Sequence, residues 1–277
     1  MIIWIASYPK SGNTWLRYFL KSYSETRDKE LSLKSTKNDN FFTLNFPNLS
    51  LLKELDINYK NFPNIVKNWI PMQDFINLNG NVNYYKTHNA MCTINNYPFT
   101  NKENTLGGIY LVRDPRDVLV SYSNHLGLSH KDTMTRMFDS KNGEYQPGES
   151  EIYNSTITGS WSDNYNSWKS FKSREILIVR YEDLVSDPFK TFSVIMKYLS
   201  KLTEFEFDEE KIRYSIEKTS FNNLKKLEEK EGFEEKGKGK NFFRSGRVGD
   251  WKKKLDNSTA EEVKKRFSKE MSELNYI

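Results

Sequence analysis

Apolar positions along the chain change period at a few sharp boundaries, and each boundary predicts an element. Ile2-Ile3-Trp4-Ile5-Ala6-Ser7 is a short continuous apolar run, the pattern of a buried strand over 2–7. Pro9 and Gly12 interrupt it. Apolar residues return at Trp15, Leu16, Phe19 and Leu20, the spacing of a helix over about 13–24. Residues 28–83 are rich in Asn, Lys and Phe with weak periodicity. We read them as short helices and loops, because Phe41, Phe42, Phe46, Phe62, Trp69 and Phe75 need burial. Second, third and fourth strands are predicted at 84–87, 108–112 and 175–181. Pro115, beside Asp114 and Asp117, opens a helix whose apolar face is Val118, Leu119 and Tyr122. Residues 126–155 are polar and contain Gly, and are predicted as a loop or lid. A helix carrying Trp161, Tyr165 and Trp168 follows, then helices over roughly 187–201, 209–219 and 221–230. Residues 232–250 hold Gly without periodicity and are predicted as a loop. Ser258-Thr259-Ala260-Glu261 reads as a capping box opening the last helix.

Strands alternating with helices predict an α/β fold, a three-layer α/β/α arrangement with a central parallel sheet and a P-loop-like phosphate-binding turn. No linker divides the chain, so residues 1–277 are read as a single domain. Ligands of such sheets sit at the carboxyl ends of the strands. Lys10, His88 and Arg113 each follow a predicted strand and are expected to converge on one rim. The turn after the first strand aims backbone N–H groups at one point, and Lys10 adds a charge there. Asn13 and Thr14 stand at the helix start, placed to cap it or to touch a phosphate oxygen. The lysine precedes Gly12 instead of following a last glycine as G-x-x-x-x-G-K-[ST] demands, which argues against an ordinary ATPase or GTPase.

Composition narrows the choice of partner. Hydrophobic residues make up only 36% of the chain but aromatics 14%, so large rings must supply much of the core. A net charge of +5 suits an anionic small molecule and is too weak to argue for nucleic acid. The lysines and glutamates mixed over 225–240 read as a solvated face. The single cysteine, Cys92, excludes an internal disulfide, and no His/Cys/Asp cluster has metal spacing. No apolar run approaches the roughly 20 residues of a membrane helix, and no targeting segment is evident, so a cytoplasmic protein is expected.

Four segments stand out together: Tyr8-Pro9-Lys10-Ser11-Gly12-Asn13-Thr14-Trp15, Lys86-Thr87-His88, Arg113-Asp114-Pro115-Arg116-Asp117-Val118-Leu119-Val120-Ser121, and Arg244-Ser245-Gly246-Arg247-Val248-Gly249-Asp250-Trp251-Lys252. Arg180-Tyr181-Glu182-Asp183 lies between the last two. In this order the chain resembles the cytosolic-type sulfotransferases, which use 3′-phosphoadenosine 5′-phosphosulfate (PAPS) and release 3′,5′-adenosine bisphosphate (PAP). The resemblance implies that Lys10 binds the 5′-phosphosulfate and that Ser11, Gly12, Asn13 and Thr14 wrap the 5′-phosphate. Asn13 stands where the family more often has Thr. Trp15 matches the ring that stacks on adenine; packing in the core is its plain alternative. Arg113 and Ser121 match the pair that holds the 3′-phosphate, and an ion pair with Asp114 or Asp117 is the alternative for Arg113. Arg244, Ser245 and Gly246 match the segment that also grips that phosphate, with Ser245 in place of a lysine and Arg247 as a candidate substitute for the missing charge, and Phe243 beside them is a further cofactor-binding candidate. Tyr181 matches a tyrosine that reaches the adenine, and Thr219, Ser220 and Phe221 a segment beside the base.

His88 matches the general base, with Lys10 and Lys86 as its catalytic companions; His125 and His130 carry no such match. The implied reaction is in-line sulfuryl transfer to a hydroxyl or amine of a small-molecule, lipid or sugar acceptor, without a metal. Residues 30–83, 89–100 and 123–160 should shape the acceptor site, with Phe41, Phe42, Trp69, Tyr122 and Trp161 as candidates for an apolar slot. Many family members dimerise through a K-x-x-x-T-V-x-x-x-E stretch, whose Thr-Val positions are Asp256 and Asn257 here. Two rival readings are a P-loop small-molecule kinase and a non-catalytic nucleotide-binding protein.

Overall fold

All six residues of strand β1 (Ile2–Ser7) are buried, as an unbroken apolar run requires of a strand covered on both faces. Its alternate side chains enter separate cores: Ile2, Trp4 and Ala6 on one side, Ile3 and Ile5 on the other. The computed structural model describes residues 1–34, 44–146, 154–238 and 241–277. Further strands are β2 (Asn83–Thr87), β3 (Thr93–Ile94), β4 (Tyr97–Pro98), β5 (Thr105–Val112), β6 (Gly143–Gln146), β7 (Asn154–Ile157) and β8 (Ile176–Arg180). One sheet runs β2-β1-β5-β8 with every pairing parallel. The pairs β3–β4 and β6–β7 are small antiparallel ribbons.

Helices cover both faces. Helix Asn13–Ser24 packs Leu16 and Phe19 on the Ile3 side, joined there by Phe192 and Ile195 of helix Pro188–Leu202. Phe19 stacks on Phe192 with centroids 3.7 Å apart. The opposite face receives Val118 and Leu119 of helix Pro115–Leu126, Trp161 and Trp168 of helix Trp161–Lys169, and Val263 of helix Asn257–Arg266. The expected three layers around a parallel sheet are therefore present. A third cluster joins Tyr18, Leu31, Leu33, Leu224 and Phe243 and lays the segment after helix Phe221–Glu231 against the first helix. Among the described residues no helix is long and apolar enough to cross a membrane.

Several elements depart from the sequence pattern. Residues 126–155 are not a plain loop: they hold helix His130–Phe138 and the β6–β7 ribbon, while 147–153 lie outside the described residues. Ser129 caps that helix by accepting the Asp132 N–H. β5 starts earlier than expected, at Thr105, whose hydroxyl accepts the Trp4 indole N–H at 2.9 Å. Ser258 is not the cap of the penultimate helix. The Asp256 carboxylate accepts from the Thr259 N–H and from the Ser258 and Thr259 hydroxyls, and these bonds hold its pKa below the ordinary range. A further helix, Ser268–Glu273, follows it. Trp69 and Trp161 are fully buried in the core and line no slot. Phe41 and Phe42 lie outside the described residues.

Candidate active site

The turn leaving β1 is shaped by two left-handed residues, Lys10 (φ 66°) and Gly12 (φ 101°). Gly12 precedes the first helical residue, and no side chain caps the helix, which leaves its first-turn amides for an anion. A Cβ at Gly12 would stand 2.6 Å from Cδ2 of Tyr181. Asn13 is turned inward: its amide donates to the Ile5 carbonyl at 3.0 Å and to Ser7 Oγ at 3.3 Å, and its Oδ1 accepts from Arg17 Nε at 2.9 Å. It thus ties the turn to the strand, in place of the capping role expected of it.

A cavity of about 440 Å³ lies along the carboxyl ends of β1, β2 and β5. Its wall brings together Lys10, Gly12, Asn13, Thr14, Trp15, Lys86, His88, Arg113 and Ser121 with Tyr181, Thr219, Phe221, Phe243, Arg244, Ser245 and Gly246. Of the residues expected at the site, Ser11 alone stays off the wall; it is fully buried, and its Oγ has no hydrogen-bond partner among the described residues. Phe46, Pro47, Tyr122, His125, Glu144 and Thr156 are among the other residues that line it.

Lys86 and Arg113 are buried, Lys10 is half-buried, and Arg244 is exposed. Lys10 Nζ lies 3.6 Å from the Phe242 ring centre. Burial pushes its pKa down to about 7, opposed by Glu235 and helped by Lys86 and Arg113. The Lys86 ammonium is likewise lowered by burial while Glu235 raises it, and it donates to Glu235 Oε2 at 3.2 Å. His88 Nδ1 lies 2.7 Å from the Ser7 carbonyl oxygen, which can only accept. Nδ1 therefore carries the proton, and Nε2 keeps the lone pair. Burial, with the Lys86 charge second, pushes this imidazole down to about 3, so it is neutral at pH 7.

Arg113 donates to the Lys10 carbonyl at 3.3 Å and the Arg247 carbonyl at 2.9 Å, and its guanidinium lies 4.3 Å from the Tyr181 ring centre. Asp114 pairs with Arg116, at 2.7 Å, leaving Arg113 only a long 3.9 Å contact with Asp117. Arg113 Nε and Ser245 Oγ are buried with no hydrogen-bond partner among the described residues. Two orphaned donors on a cation-rich wall suit a phosphate, so the residues present fit a nucleotide carrying several. The Arg247 carbonyl serves Arg113, but Arg247 does not line the cavity. No group of three or more His, Cys, Asp or Glu among the described residues could hold a metal ion.

Residues that local pattern did not single out complete the site. Asp117 accepts from the Gly249 and Trp251 N–H groups at 2.7 and 2.9 Å and thereby straps the 244–251 segment to the rim helix. Glu182 accepts from the Asp114 N–H and the Tyr276 hydroxyl, holding the turn after β5. The 225–240 run is not a simple solvated face. Glu228 accepts the N–H groups of Phe242 and Phe243, and Glu235 reaches the cavity, where it pairs with Arg17 at 2.5 Å. His125 also lines the cavity, with Lys238 N–H bonded to its carbonyl at 2.9 Å. Two of these residues lie in segments that the sequence marks, Asp117 in the first turn after Pro115 and Glu182 in Arg180-Tyr181-Glu182-Asp183.

The sulfotransferase domain profile matches residues 2–275. Sulfotransferase 1B1 of Canis lupus familiaris is 28% identical over 276 residues, covering 97% of this chain and 82% of that protein. Sulfotransferase 2A1 of Rattus norvegicus is 32% identical over 169 residues, 59% of this chain and 56% of that protein. The matched part thus spans little more than half the length of the rat relative. Among solved structures, mouse sulfotransferase SULT7A1 complexed with PAP superposes with a TM-score of 0.58 at 19% identity, covering 98% of this chain and 84% of the other. Retinol dehydratase in complex with retinol and PAP gives 0.60 at 20% identity, with 98% and 81% covered. These likenesses show the fold, and the match along nearly the whole chain shows more: the chain belongs to the sulfotransferase family of transferases.

Proposed function

We propose that this chain, as one sulfotransferase domain over residues 1–277, moves a sulfuryl group from PAPS to a hydroxyl of a small acceptor, with His88 as general base. When bound, PAPS supplies an activated sulfuryl group, whose S–O bond to the nucleotide phosphate breaks as the acceptor oxygen joins sulfur. The protein contributes position and charge. The Ser7 carbonyl holds the Nδ1 proton, so Nε2 of His88 receives the proton of the acceptor. Lys10, Lys86 and the first-turn amides oppose negative charge at the reacting end. Arg113, Ser121 and Arg244-Ser245-Gly246 take the 3′-phosphate. Trp15, Tyr181, Thr219, Phe221 and Phe243 take the base.

The observation that carries this reading is the convergence at one strand end. The Ser7 carbonyl meets His88 and the Lys10 carbonyl meets Arg113, only three residues apart. Relatives named for amine and flavonol sulfation support a small-molecule acceptor. The Phe46, Pro47 and Tyr122 side of the cavity favours a small alcohol or phenol first, and a lipid or sugar hydroxyl next. Transfer of labelled sulfuryl from PAPS across an acceptor panel tests the activity. Thermal shift with PAP, ATP and GTP separates it from a kinase. His88→Ala should lower turnover about 10²–10⁴-fold while sparing PAP affinity; near-normal turnover removes His88 as the base.

A further inference from the structure

The Glu235 carboxylate is seated between two buried cations beside the phosphate turn. Its Oε1 accepts from Arg17 Nη2 at 2.5 Å, and its Oε2 from Lys86 Nζ at 3.2 Å. The Thr14 hydroxyl accepts from Arg17 and faces Oε2 at 3.4 Å. Arg17 points back along its helix towards Asn13 and Thr14, the direction that helical side chains take. Its side chain is 2% exposed and that of Lys86 11%. Arg17 does not line the cavity, and Glu235 does, so the carboxylate stands between the guanidinium and the open space.

Two buried cations around one carboxylate form a site for an anion. Taking the carboxylate away would leave uncompensated buried charge, which is unfavourable unless another anion enters. The segment that supplies Glu235 is built to carry it. Phe233 packs edge-on to Tyr18 and Phe242, and Glu228 holds the amides of Phe242 and Phe243. Between those anchors, the described residues make backbone bonds from Lys236 N–H to the Phe233 carbonyl and from Lys238 N–H to the His125 carbonyl. Both anchors can stay in place while the Glu235 side chain withdraws.

We propose that Arg17 and Lys86 form a subsite for the phosphate or sulfonate end of the donor, and that Glu235 is its internal occupant until the donor displaces it. The proposal rests on the PAPS reading above and extends it to Arg17, which no sequence motif selected. Arg17 is a binding residue here, and Glu235 a competitor for the same place. The occupied state lowers the apparent affinity for the donor by the fraction of molecules in which Glu235 holds the subsite.

The test is calorimetric titration of the full chain with PAP, PAPS and adenosine 3′-phosphate. Glu235→Gln keeps the shape of the side chain and removes its charge. It should tighten PAP or PAPS binding about tenfold, equivalent to about 1.4 kcal/mol, and leave adenosine 3′-phosphate unchanged. Tightening of both PAP and PAPS assigns the 5′-phosphate as the occupant; tightening of PAPS alone assigns the sulfonate. Arg17→Gln should weaken PAP or PAPS, and Glu235→Gln should add little in that background. If Arg17→Gln does not fold, the three-ligand comparison on Glu235→Gln decides alone. Unchanged or weaker binding to Glu235→Gln overturns the proposal, as does equal tightening of all three nucleotides, which would report a loosened segment. A wild-type chain that binds neither PAP nor PAPS overturns the donor reading and this proposal together. Normal wild-type binding without an effect of Glu235→Gln overturns this proposal only.

Discussion

Gly12→Ala isolates how tightly the phosphate turn is built, and Gly80→Ala is its internal control. Both glycines have left-handed backbone, φ 101° and φ 71°. A Cβ at Gly80 meets nothing within 4 Å among the described residues, whereas at Gly12 it would lie 2.6 Å from Tyr181 Cδ2 and 3.2 Å from Cε2. The backbone cost of a side chain in this region is about 1–2 kcal/mol at each position. Overlap at Gly12 adds about 1–3 kcal/mol, the usual cost of forcing atoms into a packed site. Tyr181 cannot retreat freely: it is 7% exposed, and Arg113 lies 4.3 Å from its ring centre. Gly12→Ala should therefore lose about 2–5 kcal/mol and Gly80→Ala about 1–2 kcal/mol. Urea unfolding of both variants gives the difference directly, and PAP titration gives the functional arm. Ring displacement should weaken PAP binding in Gly12→Ala and leave Gly80→Ala at the wild-type value. Equal destabilisation of the two variants, or unaltered PAP binding by Gly12→Ala, would refute the packing argument.

Three further outcomes are expected. Arg113→Ala should weaken PAP far more than adenosine 5′-phosphate, measured by parallel titrations; equal losses would withdraw the 3′-phosphate assignment. PAP affinity should fall as pH rises above about 7, because Lys10 is charged below that value in the free protein and binding above it requires proton uptake. The limiting slope is about tenfold per pH unit for one proton, and a flat profile between pH 7 and 9, where the ligand's phosphates are fully ionised, would count against Lys10 as a phosphate contact. Asp117→Asn replaces one of two acceptors facing the Gly249 and Trp251 amides by a donor, which should cost about 1–3 kcal/mol. It should also loosen Arg244-Ser245-Gly246, so unfolding and PAP titration ought to change together; unchanged values in both would remove Asp117 as the strap.

The strand–turn–helix start and the alternation behind the parallel sheet were legible in the sequence because each depends on residues close together along the chain, whereas most of the cavity wall was legible only through the resemblance of separate segments to a known family. A continuous apolar run must be covered on both faces, and Lys10 and Gly12 lie within one turn of each other. Helix His130–Phe138 was missed, since 126–155 read as a loop or lid, although Ser129 and Asp132 stand at its start and Met134, Met137 and Phe138 lie at helical spacing. The polar residues around them masked that signal.

What only tertiary structure decided is which polar groups meet. The mixed run 225–240 has the same local pattern whether its glutamates face water or cations, and only the packing of Phe233, Phe242 and Phe243 brings Glu235 to Arg17 and Lys86. Asn13 could cap a helix or reach a ligand by position alone, yet the nearby Ile5 carbonyl claims its amide. Trp69 and Trp161 were candidates for a slot until the helices around them closed. Local sequence sets backbone shape through short-range sterics and periodic burial. The pairing of buried charges is set by elements far apart in the chain, since each charge needs a partner and folding alone determines which one is near.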